Sequence, residues 1–93
     1  MRRVLRDRVV VITGASSGIG RDCARRLASL GSNVVLAARR RDVLEVVRDE
    51  ITAGGGRAIA VQTDVTIRDD VQFLLNATLE HFGRADVWVN NAG

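Results

Sequence analysis

Four short apolar runs punctuate the chain: Val9-Val10-Val11-Ile12, Val34-Val35-Leu36, Ile59-Ala60-Val61 and Val87-Trp88-Val89. They begin 25, 25 and 28 positions apart and show no polar alternation, the pattern of strands buried on both faces. Between them, apolar residues recur with helical spacing. Ile19, Cys23, Leu27 and Leu30 form the stripe expected to face inward on a first helix, with Arg21, Asp22, Arg25 and Arg26 opposite and Gly31 as the stop. A second helix is predicted to open on the capping-box-like Asp42-Val43-Leu44-Glu45, bury Val43, Val47 and Ile51, and end at Gly54-Gly55-Gly56. A third is predicted from near Thr66, presenting Val71, Leu74, Leu75, Leu79 and Phe82 before Gly83. The order is βαβαβαβ, with crossovers long enough for parallel strands. Right-handed crossovers then predict an α/β fold, half of a doubly wound parallel sheet in the order 3-2-1-4.

The first strand runs directly into Thr13-Gly14-Ala15-Ser16-Ser17-Gly18-Ile19-Gly20 and the first helix. That junction has the chemistry of a phosphate cradle. Gly14 can turn the chain off the strand, Gly18 can let backbone approach a pyrophosphate, and Gly20 can let helix and sheet pack closely. The helix N-terminus adds unpaired N–H groups and a positive dipole end, and Ser16 and Ser17 add hydroxyls. A ligand-free strand-to-helix turn would use the same glycines. Position favours the cradle, because the motif stands after the first strand of a βαβ unit, as in Rossmann-type dinucleotide sites. The triphosphate-binding P-loop is excluded, since it needs a lysine and all 14 basic residues here are arginine.

Composition narrows the classes further. The 93 residues fit one small domain: residues 1–7 read as a basic lead-in and residues 8–93 as the dinucleotide-binding half-domain. Four arginines against Asp7 in the first eight residues account for the whole net charge of +3, and the remaining arginines and acids cancel. With aromatic residues at 3%, neither a basic face nor a stacking platform for nucleic acid is expected. No run is long enough to span a membrane, and the single cysteine, Cys23, excludes an internal disulfide and any multi-cysteine metal site. A cytoplasmic setting without membrane or metal is the expectation.

Together, TGASSGIG at Thr13 to Gly20, Asp64-Val65 after strand three and Asn90-Asn91-Ala92-Gly93 after strand four resemble the short-chain dehydrogenase/reductase family. The resemblance implies an oxidoreductase moving hydride between NAD(P) and an alcohol or carbonyl compound, and a homo-oligomer at full length. It implies that Gly14, Ser16, Ser17, Gly18, Ile19 and Gly20 wrap the ribose and diphosphate, and that Asp64 and Val65 hold the adenine. Asn91, Ala92 and Gly93 would line the cofactor near its ribose, while Asn90 ties strands together. A cap for the third helix is the competing role for Asp64. The family's catalytic Ser and Tyr-x-x-x-Lys have no counterpart here, where Tyr and Lys are absent. No catalytic residue is therefore assigned, and the chain is expected to be the cofactor-binding half of a longer enzyme. A non-catalytic dinucleotide-binding module is the alternative.

Cofactor choice turns on the end of strand two. Dinucleotide folds that select NAD place an acid there for the adenosine 2′-hydroxyl. This chain has Ala38, followed by Arg39-Arg40-Arg41. A guanidinium suits a phosphate bidentately, so Arg39 is expected to bind the 2′-phosphate of NADP with Arg40 assisting, and NAD is the less favoured cofactor. A solvated basic loop is the competing reading, and the basic residue that many NADP-binders of this type carry before the second glycine is here Ser17. His81 reads as a helix C-terminal residue complementing the dipole, Cys23 as a small core residue and Trp88 as core.

Overall fold

The fold, taken from a computed structural model, is described for residues 6–91. Seven elements alternate: β1 (Val9–Thr13), α1 (Gly18–Ser29), β2 (Asn33–Ala38), α2 (Arg41–Ala53), β3 (Arg57–Gln62), α3 (Arg68–Phe82) and β4 (Val87–Asn90). The strands form one sheet in the order β3-β2-β1-β4, as the run spacing predicted, and every pairing is parallel. Register aligns Val9 with Asn33 and Thr13 with both Ala37 and Asn90, so β1, β2 and β4 end level at one edge of the sheet.

Strand alternation sorts the core into two layers. Val10, Ile12, Val34 and Leu36 pack with Ala24 and Ala28 of α1 and with Leu44, Val47 and Ile51 of α2. Val9, Val11, Val35, Ala37 and Val61 face the other way, onto Leu74 of α3. Only β1 and β2 are buried throughout. The run in β3 is an edge strand, half-buried except at Val61, and β4 is the other edge.

Helix faces are where the periodicity reading needs correction. Ile19 is 77% exposed, and the inward spine of α1 is Gly20, Ala24 and Ala28, with Cys23 and Leu27 only packed beside it. Close approach of the glycine turn to the helix sets this rotation, so the smallest residues face in. At α2 the N-cap is Arg40, without a side-chain capping bond, and Asp42 lies inside the first turn. There the Arg40 guanidinium, 3.2 Å away, holds the Asp42 carboxyl below its usual range. Leu44 takes the buried place expected for Val43. In α3, which starts at Arg68, Leu74 and Thr78 are buried while Leu79 is exposed. Gly31 and Gly83 close α1 and α3 with left-handed backbone, as expected.

Trp88 is 40% exposed rather than core, and Val87 beside it 44%. Both lie on β4, whose outer edge has no neighbouring strand among the described residues. Unpaired strand edges flanked by apolar side chains template association. The 93-residue chain is accordingly expected to self-associate; sedimentation showing a sharp monomer at micromolar concentration, with cooperative melting, would contradict this.

Asp86 latches β4 to β1. Its Oδ2 accepts from the Val9 N–H at 2.8 Å, its own N–H donates to the Val9 carbonyl at 2.9 Å, and its Oδ1 accepts from Arg84 at 2.6 and 3.0 Å. Arg84 foremost, then the Val9 N–H, holds this carboxyl below the usual range. A depressed folded-state pKa stabilises above the unfolded value of about 3.9 and loses that contribution as pH falls through the folded one. Asp86→Asn is therefore expected to lower the melting midpoint at about pH 7 far more than at about pH 3. An equal drop at both would remove the charge from the explanation.

Candidate functional site

The level ends of β1, β2 and β4 open onto a cleft of about 410 Å³, within the range of small-molecule sites. It lies where the strand order reverses direction around β1, the place where open α/β sheets bind ligands. Gly14, Ser16, Ser17, Arg39, Arg40, Asp64, Val65 and Asn91 line it, together with Ala38, Thr63 and Thr66. Eight of the sequence-predicted residues thus converge. Gly18, Ile19 and Gly20 form the first turn of α1 beside the cleft, and Ala92 and Gly93 lie outside the described residues.

The turn itself is built around one carbonyl. Gly14 adopts φ 65°, a left-handed value that favours glycine, and its carbonyl oxygen accepts from the Ser17 N–H at 3.1 Å, the Ser17 hydroxyl at 2.9 Å and Asn91 Nδ2 at 3.2 Å. Asn91 Nδ2 also donates to Ser17 Oγ at 3.0 Å. Ser17 is the N-cap of α1, accepting from the Gly20 N–H at 3.5 Å. The Gly20 N–H is thus capped, whereas the Gly18 and Ile19 N–H groups have no carbonyl four residues back within the helix and can serve an anion in the cleft. A Cβ at Gly20 would run into the Gly14 carbonyl oxygen and come within 2.6 Å of Asn91 Nδ2, whereas a Cβ at Gly18 would meet nothing within 4 Å. Gly20 is required by the fold. Gly18 is open space, an empty approach to the turn.

Strand four secures this arrangement through Thr13, which is buried. Its hydroxyl donates to Asn90 Oδ1 at 3.0 Å and accepts from the Asn91 N–H at 3.2 Å. The role of Asn90 as a tie between strands is visible here. The part of Thr13 is not legible from its residue type, because a threonine ending a strand is ordinary β sequence.

Charges of both signs also line the cleft. Thr66 donates to Asp64 Oδ1 from its hydroxyl at 2.6 Å and its N–H at 3.0 Å, and the Asp64 N–H donates to Asp70 Oδ2 at 2.9 Å. Asp64 therefore caps the turn before α3, whose own N-cap is Ile67. The Thr66 hydroxyl first, then its N–H and the charge of Arg39, hold the Asp64 carboxyl below the usual range, so it is ionised at neutral pH.

The three consecutive arginines divide. Arg40 pairs with Asp42 at 3.2 Å and Arg41 with Glu45 at 3.2 Å. The Arg39 guanidinium makes no hydrogen bond or ion pair among the described residues, and Arg39 lines the cleft. That is an exposed cation with no ion-pair contact, whose charge reaches the ionised Asp64 in the same cleft. Such a site can hold a ligand with two separated anionic groups.

His81, Cys23 and Trp88 stand away from this chemistry. His81 packs edge-on to Phe82 with ring centroids 4.6 Å apart, and Cys23 is half-buried on α1. No group of three or more His, Cys, Asp or Glu among the described residues could hold a metal, and no described helix is long and apolar enough to cross a membrane.

Comparison with known proteins matches the family model described as short chain dehydrogenase to residues 8–93. The uncharacterized oxidoreductase YxnA of Bacillus subtilis (strain 168) is 48% identical over 88 residues, which are 95% of this chain and 25% of that protein. Among solved structures, a metagenomic short-chain oxidoreductase in complex with NADP superposes with a TM-score of 0.89 at 44% identity, covering 96% of this chain and 41% of that one. A short chain dehydrogenase/reductase of Burkholderia phymatum in complex with NAD gives 0.88 at 42%, covering 90% and 30%. The chain spans between a quarter and about two-fifths of the length of these proteins.

Proposed function

Since the chain belongs to the short-chain dehydrogenase family, we propose that it forms the dinucleotide-binding part of an NADP(H)-dependent oxidoreductase acting on an alcohol or carbonyl compound. The observation that carries the cofactor choice is Arg39, in the cleft without a hydrogen bond or ion pair from its guanidinium among the described residues, next to Ala38 where an NAD site has its acid. The residues fit such a group. Open space at Gly18 admits a diphosphate against the α1 N-terminus, where Gly14, Ser16, Ser17, Ile19 and Gly20 shape the turn around it. Arg39 would take the 2′-phosphate bidentately, with Arg40 adding field from its pair with Asp42. The ionised Asp64 would accept from the adenine amino group beside Val65, and Asn91 would meet the ribose while holding the turn. Ala92 and Gly93 are assigned to the same wall by the family motif alone.

When bound, NADPH supplies the hydride. Nothing on this chain supplies the proton: with neither Tyr nor Lys, no side chain has the phenol and amine chemistry of the family's catalytic pair. Matching relatives are oxidoreductases, which favours the enzyme reading over a non-catalytic module. The full-length protein would be a cytoplasmic homo-oligomer with a small-molecule substrate.

Calorimetric titration of the 93-residue chain with NADPH and NADH tests this. Tighter binding of NADPH is expected, by about ten- to a hundredfold, with no cofactor-dependent turnover of any carbonyl or secondary alcohol. Equal affinities, or a preference for NADH, would refute the cofactor assignment; turnover proportional to a mass-verified sample would refute the account of the chemistry.

A further inference from the structure

We infer that Gln62 is a positioning residue for the phosphate-binding Arg39, an inference that rests on the NADP reading above. Gln62 ends the edge strand β3 and is paired in register with Ala38, the last residue of β2. One position on, the backbone ladder makes its final bond, from the Thr63 N–H to the Ala38 carbonyl at 2.8 Å. Beyond that point β2 has no strand partner. The Gln62 side chain extends the ladder by one rung, its Nε2 donating to the Arg39 carbonyl at 3.1 Å across 23 positions of sequence.

That rung falls on the short connection between strand and helix. The segment between β2 and α2 consists of Arg39 and Arg40; the N-cap at Arg40 makes no side-chain capping bond, its guanidinium pairing with Asp42 in the first turn of the helix. Helix and strand each fix one end of the segment, and the Gln62 amide is the contact that fixes the Arg39 peptide between them. A guanidinium recognises phosphate through a planar fork, so its usefulness depends on where its Cα is held. Without the amide, Arg39 keeps its charge and loses its aim. Gln62 would touch no part of the ligand's phosphate; it would act through the backbone of the residue that does.

The test uses the 93-residue chain with two small probes, adenosine 2′,5′-bisphosphate and 5′-AMP, which differ only in the 2′-phosphate. Gln62→Met keeps length and shape but removes the donor. It is expected to weaken the bisphosphate by about three- to tenfold, the range of one neutral hydrogen bond, while leaving 5′-AMP and the melting midpoint nearly unchanged. In an Arg39→Ala background the same substitution is expected to do nothing further, because the residue through which it acts is gone. A merely structural role would weaken both probes together and would persist in that background; either result overturns the inference, as does an unaltered preference in the single variant. If the unsubstituted chain binds the two probes equally, the NADP reading itself falls, independently of Gln62.

Discussion

Gly20→Ala is expected to unfold much of the chain, though it adds a single methyl group to a helix. The new Cβ would meet the Gly14 carbonyl oxygen and the Asn91 amide, and neither can retreat. The carbonyl is held by three donors and the amide is one of them, so relief in either direction opens the turn. Overpacking typically costs about 1–3 kcal/mol where side chains can shift, and more where the obstacle is backbone. Domains of ordinary stability have only about 5–15 kcal/mol, with small ones at the low end. Thermal or urea melts should show a loss of at least about 3 kcal/mol, or no cooperative transition at all. Gly18→Ala provides the contrast. Its Cβ enters open space, so the melt should match the unsubstituted chain while dinucleotide affinity falls. A Gly20→Ala chain that melts normally would mean the helix stands further from the turn than described.

Arg39→Ala, in a full-length protein carrying this segment, is expected to weaken NADPH by roughly ten- to a hundredfold and leave NADH nearly unchanged. A charge-assisted contact is worth about 1.5–3 kcal/mol, and 1.4 kcal/mol is about a decade in affinity. The guanidinium makes no hydrogen bond or ion pair among the described residues, so truncation breaks no such contact and should not disturb the fold. Arg40→Ala should do less, since that side chain already answers Asp42. Dissociation constants for both cofactors in each variant decide the matter. Losses of equal size for NADPH and NADH would place Arg39 at a shared part of the dinucleotide, or merely in the fold.

Strand order was legible because the β-branched runs and glycine stops are local signals, and parallel crossovers leave few ways to arrange them. Most of the cleft lining was legible too, because the glycine turn, Arg39-Arg40 and Asp64-Val65 each follow directly on a strand, and parallel pairing brings those strand ends to one side. Helix rotation was less so. Ile19 stood on a plausible apolar stripe, but the contact of Gly20 with the turn decides which way α1 faces, and that contact joins residues whose closeness periodicity cannot register. Asp64 illustrates a different limit: an aspartate before a helix predicts a cap, and the structure uses it one turn earlier, on Thr66. Gln62 carried no signal at all. An exposed glutamine at a strand end gains meaning only from the neighbour that parallel pairing brings to it.

The bond between Thr13 and Asn90 joins residues 77 positions apart, and Asn91 reaches back just as far to Gly14. The pairing of β1 with β2 needs no such span. On a ribosome adding about 5–20 residues per second, the glycine turn is synthesised roughly 4–15 s before the asparagines that hold it. During that interval the nascent sheet can pair β1, β2 and β3 through short crossovers, but the Gly14 carbonyl lacks one of its three donors and Thr13 lacks its partner. Of these four strands, β4 is therefore the one that completes the turn. If the site binds a dinucleotide as proposed, binding competence would come to a growing chain only once β4 has docked, and not when the glycine motif itself is made.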